Sequence, residues 1–118
     1  MLRSFQQFTV KIYKHNMKYI SDEDKMRVAL NQARKALDID EVPVGAAIFD
    51  KDDNLICANH NRREIDQNPM SHAEILVLEE ASQILGTWRL EETTIAVTLE
   101  PDAMCAGAIS SSRVKKLI

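Results

Sequence analysis

The sequence predicts an α/β domain built as a three-layer α/β/α sandwich, and three observations carry that expectation. Apolar residues recur at helical spacing over residues 22–38 and again over 73–85. Continuous small or β-branched runs of strand length occupy residues 44–49 and 93–99. The resulting order is helix, strand, strand, helix, strand, helix, strand, which requires helices to return the chain across a sheet.

Each element has its own signals. Ser21 stands three residues before Asp24 and can cap a helix over 22–38, whose stripe reads Met26, Leu30, Ala33 and Leu37. Pro43 breaks that pattern, and residues 44–49 follow as the first strand. Lys51, Asp52, Asp53 and Asn54 form a turn, from which residues 55–58 return as the hairpin partner. A polar loop is expected over 59–69. The next helix spans 73–85, with Ile75, Leu78, Ser82 and Leu85 along one side and Gly86 as its stop. After the strand at 93–99, Pro101 opens a helix reaching about residue 112, and residues 114–118 begin a fourth strand.

A chain of 118 residues with 45% hydrophobic content fits one soluble domain at 21–118. No apolar run approaches the ~20 residues of a membrane span. Cys57 and Cys105 are too few for a disulfide framework, so a reducing cytoplasm is the expected compartment. Residues 1–20 read as a separate, loosely held extension carrying Arg3, Lys11, Lys14 and Lys18 without an acid. They are basic like an organelle transit peptide but lack its usual Ser and Arg content. With those four cations set aside, the net charge of −3 becomes −7 over the remainder, which gives no general support to nucleic-acid binding. Arg62, Arg63, Arg113, Lys115 and Lys116 are the candidates for a local basic patch, against the simpler reading of a solvated surface.

Chemistry concentrates in two short segments, Ser71-His72-Ala73-Glu74 and Glu100-Pro101-Asp102-Ala103-Met104-Cys105. They match the two halves of the zinc-deaminase pattern, His-x-Glu followed by Pro-Cys-x-x-Cys, except that Asp102 stands at the first cysteine. An open tetrahedral zinc site needs three protein ligands, and His72, Asp102 and Cys105 are the candidates. Residues 102 and 105 fall on one face of a helix start, whose free amides should lower the Cys105 pKa and favour the thiolate. Glu74 is the candidate proton carrier. Each residue also has an ordinary role: His72 as a hydrogen-bonded structural histidine, Glu74 as a charge at a helix N-terminus, Cys105 as a small buried hydrophobe, and Asp102 as an N-cap bonded to an amide such as that of Cys105. Asp102 is expected to choose between cap and metal, and to hold zinc less tightly than cysteine would.

Further blocks accompany these segments: Glu41-Val42-Pro43-Val44-Gly45-Ala46, Gly86-Thr87-Trp88-Arg89-Leu90, Thr98-Leu99-Glu100-Pro101 and Met104-Cys105-Ala106-Gly107-Ala108-Ile109. Together they resemble bacterial tRNA-specific adenosine deaminases from about residue 24 to residue 118. The resemblance implies a cytidine-deaminase-like fold, usually a homodimer, that converts the wobble adenosine of a tRNA anticodon loop to inosine. It implies that His72 and Cys105 ligate Zn²⁺, that Glu74 shuttles protons, and that Val42, Asn61 and the backbone of Ala73 hold the adenine. An unstacked anticodon loop suits a pocket that must reach a base edge.

Two departures set the alternatives. Asp102 replaces a cysteine ligand, and the family's pattern continues with a further strand and helix beyond residue 118. Reduced activity is therefore one expectation, and an inactive protein of the same fold that binds RNA or pairs with an active subunit is another. A deaminase of free nucleobases or nucleotides, such as cytosine or guanine, would share the zinc segments but not the Glu41–Gly45 and Gly86–Leu90 blocks. The small residues Ala103, Ala106, Gly107 and Ala108 permit close approach, to the sheet first and to a second subunit otherwise.

Overall fold

The computed structural model describes residues 18–118. Its first helix, α1 (Asp22–Asp38), begins where Ser21 Oγ accepts the Asp24 amide at 3.0 Å. Two strands follow, β1 (Gly45–Phe49) and β2 (Leu55–His60), joined by a turn in which Asp50 Oδ1 accepts the amides of Asp52 and Asn54. A short helix α2 (Arg63–Asp66) leads to α3 (Ala73–Leu85), which ends at Gly86 with φ of 71°. The chain closes with β3 (Thr94–Val97), α4 (Ala103–Ser111) and β4 (Lys116–Leu117).

The strands lie in the order β2-β1-β3-β4. β1 is antiparallel to both neighbours, whereas β3 and β4 are parallel and joined through α4. Alternation along β1 separates two cores. Ala46 and Ile48 face Val77, Leu78 and Ala81 of α3 and Ile109 of α4, while Ala47 and Phe49 face Ala29 of α1. The three layers expected from the element order are therefore present.

Several local expectations are corrected. β2 continues through Asn59 and His60, which pair with Ala46 and Gly45, because a ladder of backbone hydrogen bonds accepts polar side chains. The supposed loop 59–69 therefore contains the end of a strand and all of α2. β3 spans only Thr94–Val97, and Thr98 beyond it meets Gly45 through its hydroxyl, which accepts the Gly45 amide at 3.1 Å. On α3 the buried face is Ala73, Glu74, Val77, Leu78 and Ala81, and Leu85 is exposed. On α4 it is Cys105 and Ile109 that turn inward, so Ala103, Ala106 and Gly107 face away from the sheet.

The largest correction concerns α1, whose buried face is Lys25, Ala29, Ala33 and Ala36, with Leu30 and Leu37 left 43% and 60% exposed. Gly45 explains the rotation. A Cβ placed there would meet the Ala29 carbonyl oxygen at 2.0 Å and the Ala33 nitrogen at 2.6 Å. The helix backbone thus rests directly on β1, which only alanines on the contact face allow. Lys25 is buried because its ammonium donates to Asp53 Oδ1 at 2.9 Å and to the Ile20 carbonyl at 3.0 Å, near the face of Phe49.

Lys18–Ile20 belong structurally with the domain: the Tyr19 amide bonds the Asp53 carbonyl and its ring packs on Phe49. The remainder of the expected extension, residues 1–17, lies outside the described residues.

Gly45→Ala is expected to destabilise the protein by about 3 kcal/mol, because α1 must lift from the sheet. Gly107→Ala, which meets nothing within 4 Å, is expected to stabilise it by about 0.5–1 kcal/mol through helix propensity. Urea denaturation of the two variants checks both signs.

Candidate functional site

Two helices start at the same cleft. α3 begins after His72, whose extended backbone (φ −77°, ψ 147°) makes it the N-cap residue although its side chain makes no capping bond. Asn61 substitutes from the end of β2, its Oδ1 accepting the Ala73 amide at 2.8 Å. That bond relieves one of the free amides of the first turn and leaves the imidazole of His72 available elsewhere. It also fixes the orientation of the Asn61 amide, since its oxygen must be the acceptor. The segment before His72 is held by the Arg62 amide on the Ser71 carbonyl at 2.9 Å and by the Ser71 hydroxyl on Asp66 Oδ2 at 3.1 Å.

α4 begins after Asp102 (φ −73°, ψ 179°), whose two carboxylate oxygens divide their work. Oδ1 accepts the Cys105 amide at 2.9 Å, while Oδ2 lies 3.8 Å from His72 Nδ1. The expected choice between capping and facing a metal is thus not forced. Cys105 is completely buried, with Sγ 3.6 Å from the same His72 nitrogen. One nitrogen, one carboxylate oxygen and one sulfur from His72, Asp102 and Cys105 all lie within 4.8 Å of one another.

Charge at the site runs against the sequence expectation for Cys105. Its amide is already committed to Asp102, and burial together with the carboxylates of Glu74 and Asp102 pushes the thiol up to about 12 rather than down. The Cys105 amide, chiefly, holds the Asp102 carboxyl below its ordinary value. Two acids, a sulfur and an imidazole converge where a divalent cation would relieve the crowding and displace the thiol proton. Cys57, by contrast, lies in the core with its thiol directed at the Val77 carbonyl, and belongs to no such group among the described residues.

Glu74, only 4% exposed, lies on the first turn of α3. Among the described residues, its Oε1 is the buried side-chain polar atom with no hydrogen-bond partner. A buried acceptor left unmatched in this way is costly unless a further group completes it. His72, Glu74 and Asp102 line a cleft of about 180 Å³ together with Val42, Val44, Asn61, Arg63, Leu99 and Glu100. The structure therefore brings together His72, Asp102, Cys105, Glu74, Asn61 and Val42, while the amide of Ala73 is engaged with Asn61.

Sequence reasoning did not single out Val44, Leu99 or Glu100 for the cleft, nor Glu41 behind it. Glu41 is buried, and its two oxygens accept the amides of Glu64 (3.4 Å) and Ile65 (2.8 Å) at the start of α2. The proximity of Glu41 to Pro43 and Gly45, and of Leu99 to Pro101, was the available signal. The basic residues do not form one patch: Arg62 pairs with Asp66 beside the cleft, whereas Arg113, Lys115 and Lys116 follow the far end of α4, with Lys116 bound to Asp22.

Residues 20–118 match the cytidine and deoxycytidylate deaminase zinc-binding region. The chain belongs to that family of zinc-binding deaminases. It is 48% identical over 97 residues to the tRNA-specific adenosine deaminase of Bacillus subtilis, an alignment covering 82% of this chain and 60% of that protein. A structure from work on A-to-I editing by tRNA:A34 deaminases at the wobble position superimposes with a TM-score of 0.78 and 41% identity, over 80% of this chain and 72% of the other. The guanine deaminase of Bacillus subtilis reaches a TM-score of 0.79 at 27% identity, over 83% and 62% of the two chains. The chain thus spans about 60% of the length of its Bacillus subtilis tRNA deaminase relative. No helix among the described residues is long and apolar enough to cross a membrane.

The imidazole, carboxylate and sulfur donors suit the family's zinc, and the orphaned Glu74 oxygen fits a centre that carries a further ligand. Asp102→Ala is expected to lower the urea midpoint of chelator-treated protein at pH 7, whereas Asp102→Asn, which retains a capping oxygen but not the charge, falls between it and wild type. Because the folded-state pKa of Asp102 is depressed, its contribution is present above the ordinary value of 3.8 and is lost as the pH falls through the folded value. The gap between wild type and Asp102→Ala should therefore narrow in acid, and equal midpoints at pH 7 would remove the cap from the explanation.

Proposed function

We propose that this chain carries the catalytic centre of a zinc-dependent hydrolase that deaminates the wobble adenosine of tRNA to inosine. The observation that carries the reading is the buried, unpartnered Glu74 oxygen in the same cleft as the His72–Asp102–Cys105 group. The relatives named for tRNA adenosine deamination support the substrate class.

In this reading His72, Asp102 and Cys105 hold Zn²⁺, and a bound zinc ion supplies water ionised near neutral pH. Cys105 gives up its proton on loading. Glu74 takes a proton from the attacking water at its unpartnered oxygen, delivers it to the purine ring nitrogen, and passes a further proton to the departing amine. One water is consumed, the C6–N bond breaks, and ammonia leaves as C6 becomes a carbonyl. Asn61 presents its amide NH₂ to the cleft because its oxygen is held by the Ala73 amide, which gives Ala73 its part in holding the base. Val42, 54% exposed, offers an apolar wall to the ring.

Residues 21–118 form the catalytic domain in this reading, and the protein acts in the cytoplasm as a homodimer. The outward row Ala103, Ala106 and Gly107 supports close approach of a second copy, since a Cβ at Gly107 would meet nothing within 4 Å among the described residues.

Glu74→Gln is expected to reduce inosine formation in an anticodon stem-loop on the order of 10³-fold, with zinc content retained. Mass spectrometry of the RNA and elemental analysis of the protein measure both quantities. Undiminished inosine would overturn the role of Glu74, and release of ammonia from free guanine with none from RNA would replace tRNA by a nucleobase as the substrate.

A further inference from the structure

Apart from His72, the side chains lining the cleft that carry charge are three acids, Glu74, Glu100 and Asp102, and one cation, Arg63. An RNA segment brings a phosphate with every nucleotide, so a base can enter this cleft only if its phosphate escapes the repulsion of those carboxylates. Arg63 is exposed and has no acidic partner among the described residues, whereas its neighbour Arg62 is held by Asp66 with Nε 3.2 Å from Oδ1. A guanidinium in this state presents its donor fork to solvent at the cleft.

The position of Arg63 is also fixed from behind. Glu41, buried beside Val42, accepts the amides of Glu64 and Ile65, the two residues that follow Arg63. Asn61, two residues before Arg63, is fixed by the Ala73 amide. The short stretch from 61 to 65 is thereby tied at both ends, one tie reaching α3 and the other the segment leading into β1. A cation carried on such a segment needs little ordering before it can bind.

We propose that Arg63 grips the backbone phosphate of the nucleotide whose base enters the cleft. The proposal rests on the RNA-deaminase reading above and adds to it the residue that selects a nucleotide within a strand over a free base. A free base has no phosphate and gains nothing from Arg63.

The test is equilibrium binding of a fluorescent anticodon stem-loop to the zinc-loaded full chain across a potassium chloride series. Arg63→Ala is expected to weaken binding roughly tenfold and to reduce the slope of log affinity against log salt by about 1. Arg63→Lys should keep the salt slope but recover only part of the affinity, because the charge remains and the bidentate fork is lost. Lys35→Ala, an exposed charge on α1 outside the cleft, should leave wild-type affinity and so exclude a general effect of net charge. Wild-type affinity and slope in Arg63→Ala would overturn the proposal while leaving the deaminase reading intact. A wild-type chain that binds no stem-loop would overturn both.

Discussion

The hydrogen bond from the Cys105 amide to Asp102 Oδ1 is the constraint on which the site depends. It starts α4 at a fixed point, and in doing so points the buried Cys105 sulfur and the second Asp102 oxygen toward the same His72 nitrogen. The partner helix α3 is started differently, by Asn61 reaching across from β2, so His72 can occupy the N-cap position without using its ring as the cap. Two helix starts satisfied in two ways leave three donor atoms and one unpartnered acid facing a common cleft.

The sheet makes this convergence possible. β1 lies between β2 and β3 and is buried along its length, and at its start Gly45 is tied to Thr98. Gly45 lets α1 lie against one face at backbone distance, and α3 and α4 cover the other. Residues far apart in sequence, Val42, Asn61, His72 and Asp102, therefore line one cleft.

Much of this was legible in the sequence because it depends on local chemistry. Ser21 before an acidic helix start, Gly86 after α3, and Asp102 at the head of α4 announce caps, and each caps where expected. The two zinc segments were legible through spacing. What was not legible depends on tertiary contact. Helical periodicity placed Leu30 and Leu37 inward, but the close approach at Gly45 rotates the alanines onto the sheet. A free helix start would lower the Cys105 pKa, but burial and two carboxylates that only the fold brings together raise it. Glu41 was signalled only by its place beside Pro43 and Gly45, and Arg63 only as one cation among several, since their roles come from Ile65, Asn61 and the cleft they meet after folding.

The family supplies the zinc and the deaminase chemistry, while this chain supplies an aspartate at a ligand position that the family pattern fills with cysteine. A carboxylate preserves the unit negative charge of a thiolate and adds a second oxygen, which here maintains the helix cap. Zinc X-ray absorption on the loaded protein tests that arrangement most directly. A single sulfur neighbour at about 2.3 Å, with the remaining neighbours nitrogen or oxygen, is the expected first shell. A shell with no sulfur, or with two, would contradict the assignment of His72, Asp102 and Cys105 to one ion.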